Sequence, residues 1–415
     1  MAPAVPAFDL HDAIDRLAAL NDDPDAGGIT REVFTPTYRE AADRVAAAMA
    51  DVGLEVREDA FGNVLGRWAG ADPDAPAVLT GSHFDTTLNA GRYDGVVGVL
   101  GAIAAVEALR ASDFSPARSV EVVGFAGEEP RFGSGCIGSR AFMGDLGPEE
   151  LERMRDRDGV ALADALRGYG LDPAAVPAAA QAPDGVHAFV ELHIEQGAVL
   201  EAAGVPVGVV RRIAAPHDLR VTLRGAATHA GATPMALRRD ALAGAAEAMV
   251  ELERLARAAP SGTAVATVGV LRARPGAINV VPGEVTMDVD VRDSDLDART
   301  GVVDGWIAGV RALAERRELE VALETITHDT PAECAPEVVA AAEAACAELG
   351  VAYRKMISGA YHDAMVLGAA IPMGMIFVPS AGGVSHHPDE YTAPEDIDRG
   401  VAVLAGTLAR LAAQT

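Results

Sequence analysis

Five separated stretches of the chain offer side chains suited to holding a divalent cation. They are Gly81-Ser82-His83-Phe84-Asp85, Gly91-Arg92-Tyr93-Asp94-Gly95, Gly127-Glu128-Glu129-Pro130, Glu191-Leu192-His193-Ile194-Glu195-Gln196-Gly197 and Ser385-His386-His387-Pro388. Three imidazoles and two carboxylates suit zinc, manganese or cobalt, which accept mixed nitrogen and oxygen ligands. His83 and Asp85 alternate along one strand end, so Asp85 is placed to orient the shell around the histidine. Asp94, between Tyr93 and Gly95, can bridge two cations with its two oxygens. Glu128 and Glu129 are adjacent, so their side chains must diverge: one can bind metal while the other faces the bridging water. Such a spare base beside the ligands is what metal-assisted hydrolysis requires. A His-x-Asp or Glu-Glu pair alone is commonplace and reads as a solvated loop. Five matches in order, each at a strand end, point to a metal site.

The elements that must carry these residues alternate. Ala77–Thr80 reads as a strand leading into the first motif, Gly95–Ala111 as a buried helix and Val120–Phe125 as a strand ending at the glutamate pair. Phe189–His193 is a further strand ending at a candidate ligand. Strand-then-helix order implies a largely parallel sheet, with ligands collected at the carboxyl ends of strands. The middle differs: strand Leu219–Arg224, helix Arg238–Ala258, strands Thr263–Leu271 and Val285–Arg292 around the loop Pro275–Gly283, helix Leu296–Arg316 and strand Leu319–Ile326. That β-α-β-β-α-β order is the split ferredoxin-like unit. From His328 the first pattern returns, with helices Pro336–Leu349, His362–Ala370 and Pro394–Ala413 and strand Met373–Val378. The expected fold is therefore α/β: a mostly parallel-sheet catalytic domain with helices on both faces (1–212 and 328–415) and an inserted ferredoxin-like α+β lid or dimerisation domain (213–327).

A chain of 415 residues fits two domains better than one. Its 34 basic and 61 acidic residues give a formal charge of -27, which argues against nucleic acid or an anionic membrane as partner. Lys355 is the only lysine. Cys136, Cys334 and Cys346 have no metal-binding spacing, and so sparse a count fits a reducing cytoplasm. The start Met1-Ala2-Pro3-Ala4-Val5 has no basic region followed by a long apolar run, so no leader is expected. No apolar stretch reads as a membrane span.

The motifs together resemble the co-catalytic metallopeptidase and amidohydrolase clan. Within it they look most like the group of N-carbamoyl-L-amino-acid hydrolases, allantoate amidohydrolases, β-ureidopropionases and ureidoglycolate amidohydrolases. The resemblance runs over Gly81–Asp85, Gly91–Gly95, His193–Gly197, His229–Met235 with Arg238-Arg239-Asp240, Asn279–Glu284 and Ser385–Glu390. It implies a homodimer with two divalent ions per subunit (Zn, Mn, Co or Ni). Asp94 would bridge them, His83 and His386 would complete one site, Glu129 and His193 the other, and Glu128 would be the general base. The pattern favours His386 over His387. It departs at Pro130, which alone separates the glutamate pair from Arg131-Phe132 where the family usually has two residues, so the place of Arg131 is open.

On the substrate side, the resemblance implies that His229, in Ala227–Met235, reaches the partner subunit's site and steadies an oxyanion. Asn279 and Arg292 would grip a substrate carboxylate, for which the planar arginine fork is suited; the plainer reading of Arg292 is a salt bridge with Asp290 or Asp293. Gln196 would contact substrate, and Gly359 lies in the family loop Ser358–Asp363, where His362 is equally a structural residue. Asp240 with Arg238 and Arg239 would stabilise the start of a helix. The expected substrate is a small ureide or carbamoyl compound bearing a carboxylate. The same metals would also serve an aminoacylase or dipeptidase of the clan, and a metal-binding scaffold would have no need of the spare Glu128.

Overall fold

The structure, a computed structural model, describes residues 8–413; Met1–Val5, the stretch weighed as a leader, lies outside them. In chain order the strands are β1 (Glu55–Glu58), β2 (Val64–Trp68), β3 (Ala77–His83), β4 (Val120–Phe125), β5 (Val186–Ile194), β6 (Val207–Ile213), β7 (Ala215–Arg224) and β8 (Thr228–His229). There follow β9 (Val265–Arg274), β10 (Val280–Val281), β11 (Glu284–Asp293), β12 (Glu320–His328), β13 (Ala332–Glu333), β14 (Tyr353–Ser358) and β15 (Met373–Val378). The chain divides into two compact units. The larger runs to Arg211 and resumes over Glu333–Met356 and from His362 onward; the smaller is Arg212–Ala332 with Ile357–Tyr361.

The larger unit is mixed α/β. Its sheet has the order β1-β2-β4-β3-β5-β15-β6-β13, with β14 also on β6. The central four strands, β4-β3-β5-β15, run parallel, and β2 joins β4 antiparallel. All seven residues of β3 are buried, as is every residue of β15; a parallel strand covered on both faces reads as such an unbroken apolar run. Helix Val96–Arg110 is buried along most of its length because its sequence, VVGVLGAIAAVEALR, is apolar nearly all round. It packs on β3, β5 and the helix Pro394–Ala412.

The smaller unit is a four-stranded antiparallel sheet in the order β12-β7-β11-β9. Strand β11 alternates between half-buried and buried residues, the period-2 signature of one covered face. Helices Ala241–Arg257 and Leu296–Arg316 pack on each other and on this sheet. Trp306, fully buried, joins them by donating from Nε1 to the Ala248 carbonyl at 2.8 Å. Asp240 caps the first helix, accepting from the Leu242 and Ala243 amides at 3.0 Å. Ile357–Tyr361 falls within this unit and outside the 213–327 span, because the Ala214 amide donates to the Ser358 carbonyl and Arg292 donates to that of Gly359. Such non-local bonds leave no trace in periodicity.

Candidate metal centre

Strands β3, β4, β5 and β15 end side by side; His83 and His193 stand at the ends of β3 and β5, and the loops beyond the strands carry Asp94, Glu129 and His386. His83 and His193 stand on neighbouring parallel strands, their rings 5.8 Å apart. The His193 Nδ1 meets the Ile194 carbonyl at 2.9 Å and the His83 Nδ1 the Asp85 carbonyl at 3.2 Å. A ring held at Nδ1 in this way presents Nε2 as the free donor. Both Nε2 atoms face Asp94 Oδ1, at 3.2 Å for His193 and 3.7 Å for His83. The other carboxylate oxygen, Oδ2, lies 3.0 Å from His386 Nε2, which is also 3.4 Å from Glu129 Oε1. Asp94 thus turns one oxygen to each of two donor groups, His83/His193 and Glu129/His386, each compact enough for one cation.

This corrects the pairing of His83 with His386. The two strand-end histidines share a group because β3 and β5 are adjacent in the sheet, whereas Glu129 and His386 arrive on loops. Gly95 makes the packing possible: its φ is 65°, and a Cβ there would lie 2.5 Å from the His83 ring. His387 has 58% of its side chain exposed and accepts from the Asp389 amide at 3.2 Å.

The donor set fits a metal on three grounds. His193 Nε2 is buried without a hydrogen-bond partner, since its approach to Asp94 is not aligned for one; an orphan of this kind calls for an ion or water. Imidazole and carboxylate in these numbers match zinc, manganese, cobalt or nickel. Finally, Asp94, Glu128, Glu129, Glu191 and Asp363 crowd acidic groups where burial disfavours their charge. Burial pushes the Glu128 carboxyl well above its ordinary range, against the pull of His83. Burial and then Asp94 lift Glu129 to about 7. Asp94 goes the other way: burial opposes its ionisation, but His193 and His386 outweigh it and hold the carboxyl well below its usual range.

Glu128 points elsewhere than Glu129. Its Oε2 lies 3.8 Å from His83 Nε2, its side chain is 12% exposed, and it belongs to neither donor group. The turn that carries both glutamates hangs from Asp85, whose Oδ1 accepts from the Gly127 and Glu128 amides (3.2 and 3.3 Å) and Oδ2 from the Glu129 amide (3.1 Å). Asp85 therefore orients the glutamate loop as well as lying beside His83. Arg131 folds away beyond the shortened loop, donating to the Val33 carbonyl and, at 3.1 Å, to Asp156. Gln196 takes a positive φ of 56° and donates from Nε2 to Asp94 Oδ2 at 2.9 Å.

The remaining nominated residues belong to the smaller unit. His229 is exposed on β8, which pairs with β10 in a two-residue ladder, so His229 stands opposite Val280 and the Ala230 amide reaches the Asn279 carbonyl at 2.8 Å. Its Nδ1 accepts from the Gly231 and Ala232 amides at 3.1 and 3.2 Å. Accepting at Nδ1 puts the proton of a neutral ring on Nε2. Arg292 donates from Nε to both Asp290 oxygens (3.0 and 2.9 Å) and from Nη1 to the Gly359 carbonyl at 3.2 Å, with Nη2 in an ion pair 2.8 Å from Asp290 Oδ2. Of the two acids weighed as its partners, Asp290 is the one engaged; Asp293 is held by Ser261 and Thr263.

Comparison with known proteins adds a common origin. Residues 74–410 match the model of Peptidase family M20/M25/M40. The chain belongs to this family. It is 45% identical to the N-carbamoyl-L-amino acid amidohydrolase of Geobacillus stearothermophilus over 93% of this chain and 94% of that one. It is 41% identical to the ureidoglycolate hydrolase of Oryza sativa subsp. japonica, covering 97% of this chain and 84% of the relative. Among solved structures, an amidase of the hydantoinase/carbamoylase family from Burkholderia multivorans superposes with a TM-score of 0.90 at 33% identity, covering 98% and 97% of the two chains. The M20 chain described here is an amidohydrolase, a hydrolase of carbon–nitrogen bonds other than peptide bonds. Among its described residues no helix is long and apolar enough to cross a membrane.

Several residues of this M20 site escaped the sequence reading. Buried Glu191 accepts from Ser82 Oγ at 2.6 Å and from the Ala364 amide at 3.0 Å. Asp363, also buried, accepts from Ser139 Oγ at 2.5 Å; burial and Glu191 raise its carboxyl to about 7. His362, which the sequence did single out with structural and chemical roles evenly weighed, has its ring 4.5 Å from that of His193. Glu191 had one signal, since it stands two residues before His193 on the same strand. Ser139 had none, because its partner lies far along the chain.

Proposed function

We propose that the enzyme hydrolyses a linear ureido or carbamoyl carbon–nitrogen bond in a small carboxylate-bearing substrate, of the N-carbamoyl amino acid, allantoate or ureidoglycolate type. The observation that carries this reading is the Asp94 carboxylate facing two donor groups while Glu128, beside them, belongs to neither. The named activities of the Geobacillus and Oryza relatives support the substrate class. His83, His193 and Asp94 would hold one divalent ion, and Glu129, His386 and Asp94 a second. Zinc, manganese, cobalt or nickel bound there would bring the pKa of water to ~7 and polarise the scissile carbonyl.

The chain's own groups do the rest. Glu128 takes the proton of the attacking water and returns it to the leaving nitrogen, as one group serving as base and then acid must. His229, with its proton on Nε2, donates to the oxygen that gains negative charge, in a homodimer where it serves the partner's site. Gln196 and Asn279 contact the substrate, and Arg292, braced by the Gly359 carbonyl, receives its carboxylate end. A carbamoyl substrate leaves as the free amine, carbon dioxide and ammonia, with one water consumed. The inserted unit would act as lid and dimerisation surface, and the three free, buried cysteines fit a cytoplasmic enzyme.

The deciding test strips the protein with a chelator, restores each metal and assays N-carbamoyl amino acids, allantoate, ureidoglycolate and dipeptides side by side. Metal-restored turnover of a ureide is expected. Turnover confined to dipeptides or acyl amides would make it an aminoacylase or dipeptidase instead.

A further inference from the structure

The five donors are not held alike. His83, His193, Asp94 and Glu129 have side chains only 2%, 1%, 4% and 6% exposed, so packing fixes them. His386 is 47% exposed, stands on a loop, and takes a strained positive φ of 54°. Something other than burial must keep it facing Asp94.

The geometry points to Glu390 as a positioning residue that clamps the His386 loop onto the Asp94 loop. Glu390 is 5% exposed and uses both oxygens. Its Oε1 accepts from the Tyr93 and Asp94 amides at 2.8 and 3.2 Å, seizing the backbone of the bridging ligand. Its Oε2 accepts from Ser385 Oγ at 3.0 Å, and that hydroxyl is also 3.0 Å from Asp94 Oδ2. The Glu390 amide closes the turn by donating to the His387 carbonyl at 3.0 Å. One carboxylate thus joins two loops almost 300 residues apart in sequence, with His386 enclosed between its anchors. Gly91 is the complement: a Cβ there would lie 2.3 Å from the Glu390 Cβ, so only glycine admits the clamp.

Asp94 has other holds, from Gln196 at 2.9 Å and from its place before the buried helix, whereas Gln196 reaches the His386 ring only at 3.4 Å. Losing Glu390 should therefore weaken the Glu129/His386 group selectively and spare the His83/His193 group. This inference rests on the proposed pair of cation sites.

The test is calorimetric titration of zinc into the chelator-stripped, full-length protein, with His386→Ala identifying the step that belongs to the looser group. Glu390→Ala and Gly91→Ala, which remove or displace the same carboxylate by different routes, are both expected to weaken that step by about 10–100-fold and leave the other unchanged. Glu390→Gln still offers an oxygen to the two amides and should restore most of the affinity. Two unchanged steps in both variants, or two steps weakened equally, overturn the clamp while the paired site stands. Uptake of fewer than two zinc ions by the unaltered protein removes the paired site, and the clamp with it.

Discussion

The candidate metal cluster of the larger unit and the residues of the smaller one proposed to meet substrate are built in opposite ways. In the first, side chains stand on the ends of adjacent strands or on turns hung from buried carboxylates, with His83 and His193 almost wholly enclosed. In the second, His229 is exposed on a ladder two residues long, Asn279 is exposed beside it, and Arg292 is half-buried with Asp290 already on its guanidinium. Donors for a metal must be fixed before the ion arrives, because misplacement of a fraction of an ångström loses affinity. A group that recognises a substrate can settle as the substrate enters. On the proposed roles, the contrast assigns the cost of burying charge to the larger unit and the freedom to change specificity to the smaller.

The strongest way to break this comparison is at the buried side. His193→Ala removes a donor whose buried Nε2 has no hydrogen-bond partner, so metal analysis should show one equivalent lost per chain, with turnover falling below detection. Retained metal and turnover would mean that His193 is a core residue. Glu128→Gln comes next and sharpens the division of labour within the cluster: it keeps shape but loses the proton carrier. Metal content should stay the same while kcat falls about 10³-fold or more, toward the upper part of the range for general acid–base catalysis. Near-normal kcat would remove Glu128 from its assigned role.

On the exposed side the effects should be smaller and should leave metal binding untouched. His229→Ala is expected to lower kcat roughly 10²-fold, the scale of one lost oxyanion donor, with zinc titration unchanged. A change in metal affinity instead would place His229 with the buried cluster and undo the contrast.

The same contrast explains what was legible in the sequence. The strands leading to His83, Glu128 and His193 could be read because each is an apolar run ending in a polar residue, and their parallel pairing follows from the helices between them. Order along the chain could not say which donors share an ion. That depends on β3 lying beside β5, and it put His83 with His193 where likeness alone had put it with His386. Ends were legible only roughly: the helix read over His362–Ala370 spans Asp363–Leu367. The β8–β10 ladder is too short for any periodicity. Asp85 carried a signal as part of His-x-Asp, but its three bonds to the glutamate turn come from residues some forty positions on.

Arg292 gives the smallest effect and the closest discrimination. A guanidinium has five N–H bonds; hydrogen bonds to Asp290 and the Gly359 carbonyl engage Nε and one Nη1 hydrogen, while Nη2 lies 2.8 Å from Asp290 Oδ2 as an ion pair. A substrate carboxylate can meet the remaining terminal hydrogens only by sharing the cation with Asp290. Arg292→Ala should therefore raise KM for carboxylate-bearing ureides about tenfold, near the lower end for a charge-assisted hydrogen bond, with little change in kcat or for an uncharged amide. Asp290→Asn should act in the opposite direction, lowering KM for the charged substrate by relieving the competition. Were Arg292 only a brace for the Gly359 loop, both substitutions would harm charged and neutral substrates alike, and Asp290→Asn would never improve binding.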